Sequence, residues 1–324
     1  MSIEKNRELL LQRKRTLLKS GSSFSIDEEK SFFENIKSEP AFMGVIPLSC
    51  KLGNYFFLSL DDDGVADYLF WFGCFGYERA SAVLFTHLSL EASYVMDLGS
   101  YSGYYSLLSS ILAKNPNTYA VEANPLNFHR LCENLRLNGS NATPFNYALT
   151  PLNENVEKVK LFFNKNLRVL DTGSFVSSEF GEVLPQKKNK KDAFIVPAIN
   201  LFSLMEEIEI KFESSINSYV LIKLDLEGLE IPLLKDILKI YPTQKIIVFV
   251  EILTPSSYKL MYSMKCSRDD LSIAYIDEYA QEILIQEKPS YFRRNGCRNF
   301  IFGNTQLINE VCSLSPNYLL GRYE

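Results

Sequence analysis

Histidine and tryptophan are scarce in this chain: two histidines, His87 and His129, and a single tryptophan stand among 324 residues. So few imidazoles leave little scope for a histidine-rich metal centre. Six cysteines, at 50, 74, 132, 266, 297 and 312, include no Cys-x-x-Cys pair and complete no zinc motif. Positive charge has no excess either, since 34 basic against 39 acidic residues give a net −5, which disfavours a dedicated nucleic-acid binder. With 15 glycines and 13 prolines the chain is neither collagen-like nor low-complexity. No apolar run approaches the roughly 18–20 residues of a membrane span. Ile3, Glu4, Lys5, Asn6 and Arg7 do not read as a secretory signal. We therefore expect a soluble, cytoplasmic protein with reduced thiols.

What is present is 46% hydrophobic and 23% charged, an ordinary globular composition. Residues 1–45 read as a helical appendage, with Leu9, Leu10, Leu17 and Leu18 recurring among basic side chains. Its first twenty residues carry six positive and two negative charges, which suits a helix packed on the domain with a solvated charged face, or more weakly contact with an anionic membrane surface. Ser25 to Glu28 fits a capping box for a second helix ending near Lys37, before Pro40.

After an approach segment at 46–90, short β-type runs alternate with helical periodicity, the mark of βαβ units and a mainly parallel sheet. The runs are Ser93–Leu98, Thr118–Glu122, Pro144–Ala148, Tyr219–Asp225 and Lys245–Ile252, and the helical stretches are Tyr104–Ala113, Leu126–Leu137, Leu229–Ile240 and Ser256–Met264. Ser272–Ile276, Ile283–Gln286 and Asn299–Phe302 follow without long helices between them, which predicts an antiparallel edge. The main domain is thus expected over 91–306, with a polar loop insertion at 151–195 ending in Lys187–Lys191, and a tail at 307–324.

The stretch Val95-Met96-Asp97-Leu98-Gly99-Ser100-Tyr101-Ser102-Gly103 joins a strand to a helix. Its glycines permit a sharp turn and let backbone amides approach a ligand. The spacing differs from a Gly-x-Gly-x-x-Gly dinucleotide fingerprint, and Asp97 before the turn would repel a pyrophosphate. That acid suits a ligand cationic at its reacting end, as S-adenosylmethionine is. Glu122, at the end of the next strand, is placed to accept hydrogen bonds from ribose hydroxyls.

A second acidic group, Lys223-Leu224-Asp225-Leu226-Glu227-Gly228-Leu229-Glu230, falls at the carboxyl edge of the sheet, where open α/β folds bind ligands. Asp225 is the first candidate for the catalytic base and Glu227 the second, with Lys223 pairing to one of the acids. Glu230 reads as a helix-terminus acid. Two alternatives stay open: one in which Asp225, Glu227 and Glu251 ligate Mg²⁺, and one in which the protein binds S-adenosylmethionine without catalysis. His87 reads as structural and His129 as an outer-surface residue. Tyr55, Phe56, Phe57, Trp71, Phe72, Tyr291 and Phe292 are either core or a platform for a sugar ring.

Together, Val95 to Tyr105, Glu122-Ala123-Asn124-Pro125, Asn146-Tyr147-Ala148-Leu149 and Ile222 to Glu230 resemble the FkbM family of S-adenosylmethionine-dependent methyltransferases, and Gly76-Tyr77-Glu78 looks like that family's approach to its first strand. The likeness covers about 70–305. It implies an α/β fold with a Rossmann-like, seven-stranded, mainly parallel sheet and an antiparallel edge. It also implies O-methylation of a hydroxyl on a sugar, glycan precursor or secondary metabolite. It extends the expected cofactor set to Glu78, Asp97, Gly99, Ser100, Tyr101, Gly103, Glu122, Ala123, Asn146 and Ala148. Ser100 and Ser102 depart from the alanine and asparagine more usual there, and 1–45 has no counterpart in the resemblance.

Overall fold

The computed structural model describes residues 2–20, 31–32, 42–154, 156–163, 170, 174–176, 192–208, 219–240, 246–290 and 297–324, with backbone alone at 16–20, 175–176 and 192. The capping box at Ser25, the helix to Lys37, Pro40, the Lys187–Lys191 run, Tyr291 and Phe292 lie outside them.

The chain begins with helix α1 (Ile3–Ser20), then forms a hairpin from β1 (Met43–Cys50) and β2 (Gly53–Leu60), followed by α2 (Gly64–Phe72) and α3 (Arg79–Ser89). Next come β3 (Tyr94–Leu98), α4 (Tyr104–Leu107, continued as a π-turn over Leu108–Leu112), β4 (Thr118–Val121), α5 (Pro125–Leu137) and β5 (Thr143–Phe145). Four strands and a helix intervene or follow: β6 (Ala148–Thr150), β7 (Lys158–Phe163), β8 (Phe175–Val176), β9 (Asp192–Asn200) and α6 (Leu201–Glu207). The order then runs β10 (Val220–Leu224), α7 (Glu230–Ile240), β11 (Ile246–Glu251), α8 (Pro255–Cys266), β12 (Leu271–Asp277), β13 (Glu282–Ile285), β14 (Asn299–Asn304), α9 (Thr305–Ser313) and α10 (Pro316–Tyr323).

The main sheet has the order β13-β12-β14-β11-β10-β3-β4-β5. β11, β10, β3, β4 and β5 run parallel, while β14, β12 and β13 form the antiparallel edge. This is the expected seven-stranded arrangement with a short eighth strand, β13, added outside β12. Central strands are apolar on both faces because helices cover both. Val95 and Leu221 pack on one side with α3, α4 and α5, while Met96 and Ile222 pack on the other with α6, α7 and α8.

The sheet order reverses between β3 and β10, which opens a crevice at their carboxyl ends.

The structure revises several boundaries. Ala148 belongs to β6, which pairs with β9 instead of extending β5. The insertion is not simply a loop, because β6, β9, β7 and β8 build a second, four-stranded sheet in that order. The approach segment contains the hairpin, whose edge is closed by α5: Asn134 accepts from Leu58 N at 2.8 Å, and Asn138 accepts from Phe56 N and donates to Phe56 O, both at 2.7 Å. The tail is helical, with Leu319, Leu320 and Tyr323 buried. α1 rests on the domain through buried Leu9, a hydrogen bond from Asn6 to Met43 O and Arg13 over the Phe70 ring.

Candidate active site

The turn after β3 is built so that the chain can cross the end of β10. Gly99 adopts φ +89°, and its amide and that of Ser100 both donate to Val121 O at 2.9 Å. A Cβ at Gly99 would collide with the Asp225 carbonyl oxygen, so glycine is required here by close approach as well as by the left-handed backbone. Gly103, φ +91°, starts α4, and a Cβ there would meet Leu131 Cδ1 at 2.6 Å. Gly103 therefore shapes the turn from behind and is not part of the cavity wall.

The carboxylates on this side are fixed by short hydrogen bonds. Glu122 Oε2 accepts from Tyr101 N at 2.9 Å and Oε1 from Asn124 N at 2.7 Å. Asp97 Oδ2 accepts from Ser106 Oγ at 2.6 Å. Burial drives the Asp97 carboxyl up to about 6, with Ser106 and Lys223 pulling it back. Burial drives Glu122 up to about 7 against the stabilising amides of Asn124 and Tyr101. Asn146 is not in the cavity wall; its Nδ2 straps the strand end by donating to Glu122 O at 2.8 Å and Ala123 O at 3.3 Å.

Across the crevice, Asp225 N donates to Leu98 O at 3.0 Å, tying the end of β10 to β3. Lys223 Nζ lies 2.8 Å from Asp225 Oδ2. Glu227 has φ +56°, a left-handed conformation at a non-glycine position in the loop that Glu230 organises by accepting from Leu226 N and Gly228 N at 2.8 and 2.9 Å. Glu230 thus serves the backbone, as its helix-terminus reading anticipated. Glu78, also left-handed at φ +42°, accepts from Tyr105 OH at 2.7 Å and from Asn299 Nδ2 at 2.9 Å. Burial and the surrounding carboxylates of Asp225, Glu227, Glu230 and Glu78 push the Glu251 carboxyl well above its ordinary range. Arg298 reaches Glu251 at 3.5 Å.

One cavity of about 290 Å³ joins both sides. Its wall includes Glu78, Asp97, Gly99, Ser100, Tyr101, Glu122, Ala123 and Ala148 from the expected cofactor set, and Asp225 and Glu227 from the expected catalytic pair. The sequence reading did not anticipate Tyr77, Tyr105, Ser174 or Arg298 as wall residues. Arg298 carries no local signal: it precedes β14 and reaches the crevice only because that strand inserts antiparallel beside β11.

Other candidates fall away from the crevice. His87 bonds Tyr323 OH at 2.6 Å, and the His129 side chain is 75% exposed. Tyr55, Phe57, Trp71 and Phe72 are buried core residues, so they offer no sugar platform, and Phe56 is exposed on the hairpin. Among the described residues no group of three His, Cys, Asp or Glu side chains is placed to hold a metal ion, and Asp225 Oδ2 is already paired with the Lys223 ammonium. The acids do not fit that alternative.

A family model described as the methyltransferase FkbM domain matches residues 97–280. The chain belongs to the FkbM family of S-adenosylmethionine-dependent methyltransferases. Among solved structures, it is similar to an FkbM methyltransferase from Methylobacillus flagellatus KT at 13% identity, TM-score 0.38, covering 65% of this chain and 43% of that one. The chain thus spans under half of that protein's length. An O-methyltransferase from Bacillus cereus in complex with SAH is 10% identical, TM-score 0.37, with 70% and 80% of the two chains covered. The plantazolicin methyltransferase BpumL in complex with SAH is 11% identical, TM-score 0.36, with 93% and 98% covered. No curated protein matches the sequence.

Proposed function

We propose that the cavity binds S-adenosylmethionine against Asp97 and Glu122, and that the protein transfers its methyl group to a hydroxyl of a sugar, glycan precursor or secondary metabolite. The observation that carries this reading is the continuity of the cavity from those two acids to Asp225, Glu227 and Glu251.

The residues fit the cofactor. The bare Cα of Gly99 leaves the turn open, and Glu122 Oε2, which takes a single short bond from Tyr101 N, retains a lone pair for a ribose hydroxyl. Asp97 supplies negative charge for the cationic end. Ser100, Tyr101 and Ala123 contribute wall and backbone, while Gly103 and Asn146 hold that wall from outside. Glu78 closes the side nearest Lys223.

When bound, the cofactor supplies a methyl group already activated as a sulfonium. The chain's part is alignment and proton management. Asp225 and Glu227 stand at the acceptor end, where Asp225 accepts the hydrogen bond of the incoming hydroxyl and Glu227 flanks it.

Calorimetry with S-adenosylmethionine tests the binding half. A screen of nucleotide sugars, glycolipid precursors and small polyols with labelled cofactor, read as a mass gain of one methyl, tests the transfer half. Absence of cofactor binding would refute the reading, and methyl gain on nitrogen instead of oxygen would refute its O-specific part.

A further inference from the structure

We propose that Lys223 is a positioning residue shared by both halves of the cavity, holding Asp225 and Glu78 on the acceptor side and acting through its charge on Asp97, its register partner on the cofactor side. This rests on the reading of the cavity as an S-adenosylmethionine site.

The geometry is specific. Lys223 and Arg130 are the buried cations among the described residues, and Arg130 is committed to Asp62 through two bonds of 2.9 and 2.8 Å. Lys223 is 3% exposed and projects from β10 into a wall otherwise rich in carboxylates. Its Nζ lies 2.8 Å from Asp225 Oδ2, 4.0 Å from Glu78 Oε2 and 4.8 Å from the centre of the Tyr105 ring. The same Tyr105 donates its hydroxyl to Glu78 Oε2, so ring and hydroxyl together frame the ammonium. Lys223 is also the register partner of Asp97 across the parallel β3–β10 pair, which puts the two side chains on one face of the sheet.

A buried ammonium is costly to desolvate unless anions surround it. Burial acts to lower the Lys223 pKa, and Asp225 and Glu78 outweigh it, so the side chain stays charged. Burial is the largest influence raising the Asp97 carboxyl; Ser106 of α4 and Lys223 of β10 favour its ionised form, while Asp225, just past β10, disfavours it and Glu122, just past β4, adds like charge. Lys223 and Asp225 therefore act on Asp97 with opposite sign, although they form one ion pair.

The test is the pH dependence of S-adenosylmethionine affinity, measured calorimetrically between pH 5.5 and 8.5 on the full chain and on Lys223→Met, Lys223→Arg and Asp225→Asn, which requires no acceptor. Wild-type affinity is expected to fall as Asp97 takes up its proton on acidification. In Lys223→Met the midpoint should move up by about one pH unit, with affinity reduced about twofold at pH 7 and nearly tenfold at pH 5.5. Lys223→Arg should keep the wild-type midpoint, and Asp225→Asn should move it down. An unchanged midpoint in Lys223→Met, a loss in Lys223→Arg equal to that in Lys223→Met, or an upward shift in Asp225→Asn would each overturn the proposal. Should Lys223→Met lack a cooperative melt, the sign of the Asp225→Asn shift decides. If the wild-type chain binds no S-adenosylmethionine, the reading of the cavity fails and takes this role with it; if it binds and the variants match it, only the role of Lys223 fails.

Discussion

On the side of the cavity proposed for the cofactor a carboxylate is gripped by the main chain, whereas on the side proposed for the acceptor Asp225 and Glu251 are held by other side chains. Glu122 takes amides from Tyr101 and Asn124, and the turn carrying Tyr101 is itself tied to β4 through Val121 O. Asp225 depends on one ammonium, and Glu251 is approached by Arg298, a side chain 43% exposed, at 3.5 Å. Backbone donors have no rotamers to lose and do not change with sequence. The first half is thus preorganised for one ligand, while the second can be retuned by changing a few side chains without disturbing the sheet. On the proposed reading, that division suits a fixed cofactor and an adjustable acceptor end.

The comparison can be broken most severely at Gly99, where the two halves touch. Gly99→Ala places a methyl against the Asp225 carbonyl at a positive-φ position, and is expected to cost about 3–5 kcal/mol of stability and to abolish cofactor binding. Denaturant unfolding with parallel calorimetry measures both, and wild-type behaviour would show that the crossing is looser than the geometry implies.

Asp225→Asn should separate the halves. Turnover is expected to fall about 10²–10³-fold, the range for loss of a positioned proton acceptor, with cofactor affinity near neutrality almost unchanged. Equal activity would remove Asp225 from catalysis. Glu122→Ala should do the reverse, weakening S-adenosylmethionine binding about 10- to 100-fold through loss of charge-assisted hydrogen bonds. Unchanged affinity would contradict the ribose contact.

The smallest effect concerns pH. Glu122, lifted to about 7, and Asp97, lifted to about 6, bind protons more tightly in the folded than in the unfolded chain. Their contribution to stability is therefore greatest on the acid side and is lost as pH rises through about 6–7. Glu122→Gln removes one of these groups, so its Tm relative to wild type should improve as pH is raised from 5 to 8. A difference independent of pH would mean that the carboxyl is not strained by burial.

Much of the main sheet could be read from sequence because β3, β10 and β11 are apolar runs fully enclosed by helices, and local pattern alone marks such strands. The glycine turn and both acid groups were equally visible, since their chemistry sits within a few consecutive residues. Pairing across distance was not. The β6–β9 pairing unites residues about fifty positions apart, and three-residue β6 has no periodicity of its own. Arg298 and Asn299 were hidden for the same reason, as their partners Glu251 and Glu78 are 47 and 221 positions away. The Lys223–Asp225 pair, only two residues apart, was anticipated.

Helix α5 has a further consequence. Its first cap, Asn124, lends an amide to Glu122, and its far end, through Asn134 and Asn138, clasps the open border of the β1–β2 hairpin. No hairpin residue lines the cavity, yet the thirteen-residue rod makes the hairpin a ruler against which the proposed ribose contact is set. A minimal catalytic fragment drawn only around the glycine turn and the acidic strand ends would cut away the footing on which that contact stands.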